Sequence, residues 1–403
     1  MSHPFRCLLA AFLISSVGDW LYKLALPLLI LQLTGSAFDA SLAYGLTFLP
    51  YVVVSIFGGV IADRFDRRSN LILGDLTSTF GMLAIYAASR FGAAVTVILV
   101  LSFVTACITP LYHPSFQSII PELVEREKLA RANAMVGAVE NTMMVFGPFL
   151  GGAALLLLKP NDAILLNAGT FLLSAVFLLL IRTRHLSQRK KSERTILQDM
   201  AEGFAYLWQN PILRYGAFMF FGTNFAIHFF YGSYVYYLST VLGASNGTIG
   251  LSIALSGVGA VAGSLAAPRL IARFDSGRII VLSTVVAGFV TLPLLWIDDP
   301  VLIGANWGVV MVFSWINVVT YFTLRQKLVP NHLLGRAVAA TRLIAYSSIP
   351  LGSALGGYLI ETAGVVPLIL VCASLRTAIG ILAAFTPLGR GIDPVPGTAA
   401  PAV

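Results

Sequence analysis

Gly59-Val-Ile-Ala-Asp63-Arg64-Phe-Asp66-Arg67-Arg68 packs five charges into six residues, between two long apolar stretches, about 41–62 and 71–89. Charge this dense between apolar stretches marks a tight polar turn between two membrane helices. The turn has a partial copy. At an offset of 209 residues, Arg64-Phe65-Asp66 meets Arg273-Phe274-Asp275, Leu42 meets Leu251, Tyr112 meets Tyr321, Gln117 meets Gln326 and Pro121 meets Pro330. After Pro330 the offset becomes 205: Arg131 meets Arg336, Gly147 meets Gly352 and Gly151-Gly152 meets Gly356-Gly357. Two similar halves are the signature of a protein that rocks about a central site.

Working outward, apolar segments separated by Gly, Pro and charged turns fall at 7–32, 41–62, 71–89, 95–120, 130–157, 163–182, 212–240, 248–271, 279–297, 302–326, 337–360 and 366–386. The expected fold is an all-α membrane protein of twelve transmembrane helices in two pseudo-symmetric six-helix halves. Composition agrees, with 57% hydrophobic and only 11% charged residues, against roughly 25% charged in soluble domains. Twelve crossings need roughly 240 residues, and the rest of the 403 suffices for loops. The expected layout is an N-terminal half at 1–182, a linker at 183–211, a C-terminal half at 212–386 and a disordered tail at 387–403. Segment 7–32 is too long for a signal peptide and carries Asp19 and Lys23 at its middle, so it reads as a retained first helix.

With the N-terminus inside, 21 of the 26 Lys and Arg fall on the cytoplasmic side, and only Arg90 and Lys159 fall outside. This asymmetry places both termini in the cytoplasm. The net charge of +8 is therefore a topology signal and not a nucleic-acid footprint. The linker opens with a charge run, Arg189-Lys190-Lys191 to Arg194, and 195–209 has the pattern of an amphipathic surface helix. Cys7, Cys107 and Cys372 form no disulfide or zinc spacing, and no metal-ligand cluster, nucleotide-binding loop or nucleophile–base constellation is present. No enzyme is expected.

The Gly59–Arg68 turn resembles the signature loop of the major facilitator superfamily, and Gly147-Pro148-Phe-Leu-Gly151-Gly152 is similar to that superfamily's antiporter motif. Pro121–Gly152, with Arg131-Ala-Asn133-Ala, looks like the branch of macrolide-efflux and enterobactin-export proteins. Asp66 stands where the signature has glycine, and 95–120 lacks the arginine of many proton-coupled drug exporters. The resemblance implies a monomeric proton-coupled exporter of drug-like or siderophore-like small molecules in a bacterial cytoplasmic membrane. It implies no cofactor beyond the proton gradient. It also implies that Asp63 sits near Arg336 at the start of the eleventh helix, and that Gly59, Asp63, Arg64, Arg67 and Arg68 latch the cytoplasmic side. Lipid flipping is the alternative, and a non-transporting sensor a third class.

Ionisable groups inside the membrane cost about 2.5–3.5 kcal/mol each on insertion scales, which makes them the functional candidates. Asp19 and Lys23 share one helix face; Asp19 carries a proton, or the two form a permanent ion pair. His228 occupies the position equivalent to Asp19 in the second half. Glu140, on the face of Gly147 and Gly151, forms a buried interhelical bond or an open proton site. Arg342 is a partner for Glu140 or for an anionic substrate. His113 reads as a packing residue. Eleven of the 23 residues from Tyr215 to Tyr237 are aromatic. Phe221, Asn224, Phe225 and Tyr231, with Asn317 and Tyr321 of the tenth helix, are the expected lining of a mostly apolar cavity. Gly259 and Gly263 are the expected packing surface for the fifth helix.

Overall fold

The computed structural model describes residues 1–54, 66–181 and 196–390. Among these the ordered elements are helical. The crossings are α1 (His3–Thr34), α2 (Ala37–Leu46, continued by Leu49–Val53), α3 (Arg67–Arg90), α4 (Val95–Ala106 and Ile108–Leu123), α5 (Leu129–Leu155) and α6 (Pro160–Leu179). In the second half they are α7 (Pro211–Tyr231, extended through Tyr234–Tyr236 and Tyr237–Val241), α8 (Asn246–Ile271), α9 (Ser276–Thr291, then Leu292–Leu295), α10 (Pro300–Leu328), α11 (Asn331–Ala363) and α12 (Val365–Ala384).

Local chemistry sets the ends. Ser2 caps α1, and Gly35 closes it in the left-handed region at φ 69°, where a side chain would be strained. The quoted turn and its copy share one device. Asp66 accepts the Ser69 amide at 2.8 Å, and Asp275 accepts the Arg278 amide at 3.0 Å. Each aspartate is thus the N-cap of the helix that follows. α4 breaks at Cys107, just ahead of Pro110, whose ring nitrogen cannot donate back to the preceding turn.

Nine of these helices are long and apolar enough to cross a membrane by composition alone, among the described residues. The other three crossings are α2, α5 and α7, and each has a reason. The description of α2 stops at residue 54. α5 spends its length on Glu140, Asn141 and four glycines. α7 is long enough, but carries Arg214, Asn224 and His228 among its apolar residues. Large apolar side chains such as Phe80, Leu265, Leu282 and Phe289 stand exposed on the outer surface, as a hydrocarbon solvent requires.

The packing shows the pseudo-symmetry directly. Within the first half α1 packs on α5 and α6, and α3 packs on α4 and α6; within the second, α7 packs on α11 and α12, and α9 on α10 and α12. Between the halves α2 meets α11 and α5 meets α8, two contacts that the internal two-fold exchanges. The glycine contacts correct one expectation. A Cβ at Gly259 or Gly263 would strike the α10 backbone at Gly308 or Val312, so these glycines bring α8 against α10 and not against α5. The α5–α8 crossing uses Gly152 against Gly250, and Gly257 against Phe149.

Helix Ile196–Gln209 precedes α7 and docks on the α10–α11 turn. Arg336 Nη1 donates to Glu202 Oε2 at 2.8 Å, Tyr206 Oη donates to the Leu328 carbonyl at 3.1 Å, and Leu207 is buried among Leu213, Val329, Leu333 and Ala337.

Candidate functional site

A central chamber lies at the junction of the two halves, bordered by Asp19, Lys23, Thr47 and Tyr51 and, nearer the second half, by Tyr44 and Tyr231. At the end opposite the basic loops the halves are sealed. Ser41 Oγ donates to the Gly232 carbonyl at 2.9 Å. Glu361 Oε2 accepts from the Phe38 amide at 2.9 Å and from Ser36 Oγ at 3.1 Å, so α11 caps α2 across the interface. Gln32 Nε2 donates to Asn246 Oδ1 at 3.3 Å. Gly45 lies against Pro350, Gly232 against Ser353 and Gly357 against Ser41.

One level deeper the seal becomes aromatic. Tyr44 Oη lies 3.0 Å from His228 Nδ1, and Tyr231 packs edge-on to Tyr44 at 5.8 Å. Then Tyr346 of α11 meets Phe48 and Tyr51 of α2, with ring centroids 6.2 Å and 5.5 Å apart. Tyr44, Phe48 and Tyr51 sit at spacings of four and three, on one helix face. That spacing is the signal the sequence carries for it, masked by the denser aromatics of α7. Among those, Phe225 stacks on Phe229 at 5.8 Å and Asn224 donates to the Phe220 carbonyl at 2.8 Å. Phe221 is half-buried.

Asp19 and Lys23 border a pocket shared with Thr47, Tyr51, Thr105 and Thr109. Among the described residues they close no ion pair with each other. The Lys23 ammonium instead lies 4.9 Å from the Trp20 ring centroid and 5.6 Å from that of Phe48, within cation–π range. Glu140 lies 3.6 Å from His113 Nε2 and accepts from Gln117 Nε2 at 3.5 Å, while its side chain stays 31% exposed. It is therefore an α4–α5 contact whose carboxylate stays partly exposed. His113, read as packing alone, belongs to the same group. Arg342 is exposed. The charges of Asp19, Arg342 and Glu140 all reach the Tyr51 ring.

Two expected cavity residues are elsewhere. Asn317 is buried and donates to Thr284 Oγ1 at 2.6 Å, tying α10 to α9. Tyr321 is fully buried, stacked on Phe220 at 5.3 Å and wedged against Gly216. Both sit on the side of α10 that faces its own half, a distinction that periodicity alone does not carry.

The glycines of the Gly147–Gly152 stretch divide between two neighbours. Gly147 and Gly151 admit Trp20 of α1, and Gly152 admits Gly250 of α8; Pro148 lies inside the continuous helix α5. Of the turn residues, Gly59, Asp63 and Arg64 lie outside the described residues, as do the 189–194 charge run and the tail from 391. Arg67 forms an ion pair with Glu122, and donates to the Ser118 carbonyl at 3.3 Å. Arg68 donates to the last carbonyls of α6, Leu178 and Leu179, at 3.2 Å and 2.8 Å. Both arginines thus bind within their own half.

Asp75 was not singled out in the sequence. It is 1% exposed in the membrane part of α3, beside Ser174, and its Oδ2 has no hydrogen-bond partner among the described residues. A lone carboxylate inside segment 71–89 was the available signal. Arg376 is equally buried, and donates to Ser314 Oγ at 2.9 Å.

The model of the Major Facilitator Superfamily matches residues 8–353. The chain is 28% identical to the uncharacterized MFS-type transporter YfiS of Bacillus subtilis, over 93% of this chain and 91% of that one. It is 26% identical to the multidrug efflux pump Tap of Mycolicibacterium fortuitum, over 97% of each. Macrolide efflux protein A of Streptococcus pyogenes is 24% identical over 51% of each chain. Among solved structures, the nucleoside transporter NupG superposes with a TM-score of 0.73 at 12% identity, over 94% of this chain and 98% of that one.

Proposed function

We propose that this chain, which belongs to the major facilitator superfamily, is a proton-coupled exporter of amphipathic or hydrophobic small molecules in a bacterial cytoplasmic membrane. It works by alternating access, the halves rocking about a central site. The observation that carries this is a chamber sealed between the halves at one end, with Asp19 on its wall and Glu140 partly exposed on α5, two carboxylates that pair with no Lys or Arg among the described residues. Positive-inside asymmetry assigns the basic end to the cytoplasm. The described conformation is then the one that loads from the cytoplasm. Two relatives named as efflux proteins support the direction.

Proton coupling needs groups whose protonation changes what they bind. Asp19 and Glu140 fit. A carboxylate in the chamber attracts a cation or a proton, and releases the one when it takes the other. His228 joins the halves through Tyr44, so a proton there would alter the seal itself. Lys23 and Arg342 are positive neighbours that set the balance. Gly59–Arg68 is the proposed latch for the opposite state, when the cytoplasmic end closes.

Dye efflux from proteoliposomes, with and without an imposed proton gradient, tests the reading. Efflux should require the gradient, and Asp19→Asn with Glu140→Gln should abolish gradient-driven flux. Equal flux without a gradient, or full activity in the double variant, removes the coupling.

A further inference from the structure

We infer that the chamber selects a planar aromatic ligand bearing both charges, its cationic group toward Glu140 of the first half and its anionic group toward Arg342 of the second. This rests on the exporter reading and names the chemistry of its substrate.

Arg342 lies one turn from Tyr346 on the same face of α11. Tyr346 packs edge-on against Tyr51 of the other half, so that face looks into the chamber. The guanidinium is exposed and makes no hydrogen bond or ion pair among the described residues. On the facing wall, His113 and Gln117 hold Glu140 from one side only. The two charges are close enough for Arg342 to act on Glu140, yet they do not join. Both charges act on the Tyr51 ring, and that ring packs on Tyr346, which also meets Phe48.

The other charges nearby do not upset this division. Asp19 and Lys23, an acid and a base, stand together on α1 beside Thr47 and Tyr51. Arg325 is buried beneath Tyr321 and Phe322.

Consider what each ligand class leaves behind. A cation satisfies Glu140 and strands Arg342 against an apolar molecule. An anion does the reverse. A neutral ligand strands both, and a desolvated, unpaired charge is strongly unfavourable. A zwitterion pairs with both walls, and the planar guanidinium fork suits a carboxylate or phosphate in particular. A flat ring system completes the fit, because tyrosine edges and faces take aromatic surface.

Three xanthene dyes test this on one ring scaffold: zwitterionic rhodamine B, cationic rhodamine 6G and anionic fluorescein. Equilibrium binding is measured on the purified full chain in nanodiscs, without a gradient. Rhodamine B should bind at least tenfold more tightly than the other two. Glu140→Gln should erase its advantage over fluorescein, and Arg342→Gln its advantage over rhodamine 6G. Glu140→Asp and Arg342→Lys, which keep the charges, should retain part of the preference and serve if a neutral variant fails to fold. Tightest binding of rhodamine 6G, equal affinities, binding of none of the three dyes, or a preference untouched by both neutral variants overturns the inference. Cellular efflux separates the two readings: export of the dyes without charge preference leaves the exporter standing and removes only the zwitterion.

Discussion

Arg376 shows what a single residue in this membrane core has to solve. It is 1% exposed, and its Nε and Nη1 have no partner among the described residues. A buried charge held by one serine is an expensive way to join α10 to α12. Replacing buried charged groups by apolar ones of similar size is often neutral or stabilising by about 1–4 kcal/mol. Arg376→Met should therefore leave the thermal unfolding temperature in detergent unchanged or raise it. A clear fall in that temperature would mean that Arg376 holds an anion or ordered water that the hydrogen-bond pattern does not include. Asp66 teaches the opposite lesson. It stands where the signature has glycine, and its geometry shows a use for the carboxylate: it caps α3, as Asp275 caps α9. The cap was legible in the sequence, because an aspartate just before a helix start is the commonest N-terminal signal.

At the scale of the helix, most of the fold was legible and most of the site was not. Apolar length and the repeat gave twelve segments. The repeat even marked the right turn, since Arg64-Phe65-Asp66 and Arg273-Phe274-Asp275 precede equivalent helices. The direction in which each face points was harder. Asn317 and Tyr321 looked like chamber residues because they are polar or aromatic, and they turned out to bind α9 and α7 of their own half. Gly259 and Gly263 face α10 for the same reason: a helix that is apolar all round carries no label for its neighbours. Contacts of this kind are testable. A Cβ at Gly152 would fall 2.6 Å from the Gly250 carbonyl oxygen and 2.7 Å from the Ala254 amide. Overpacking of this sort costs about 1–3 kcal/mol. Gly152→Val should lower the unfolding temperature and abolish efflux. Gly169→Ala, where a Cβ meets nothing within 4 Å, should do neither.

At the scale of the molecule, the described state is sealed at one end by contacts that must all break for the chamber to open there. Gln32 and Asn246 offer a direct test, since their side chains touch at 3.3 Å across the two halves. Gln32→Cys with Asn246→Cys, joined by a bis-methanethiosulfonate linker, should stop efflux, and reduction should restore it. Unimpaired efflux from fully cross-linked protein would show that the halves need not part at this point. The native thiols compete little: Cys7 and Cys372 are buried, and Cys107 is half-buried on α4.

The outer layer of the seal, beyond its aromatic level, is made largely of glycines, serines and backbone carbonyls: Gly45, Gly152, Gly232, Gly250 and Gly357, with Ser41 and Ser353 among them. Such a surface has few side-chain rotamers to rearrange when it separates. It also offers water carbonyl oxygens and hydroxyls instead of bare hydrocarbon. A joint of leucines would resist wetting each time it opened. This one can be flooded and dried again at little cost, which suits the proposed cycle, in which this surface parts and closes in turn.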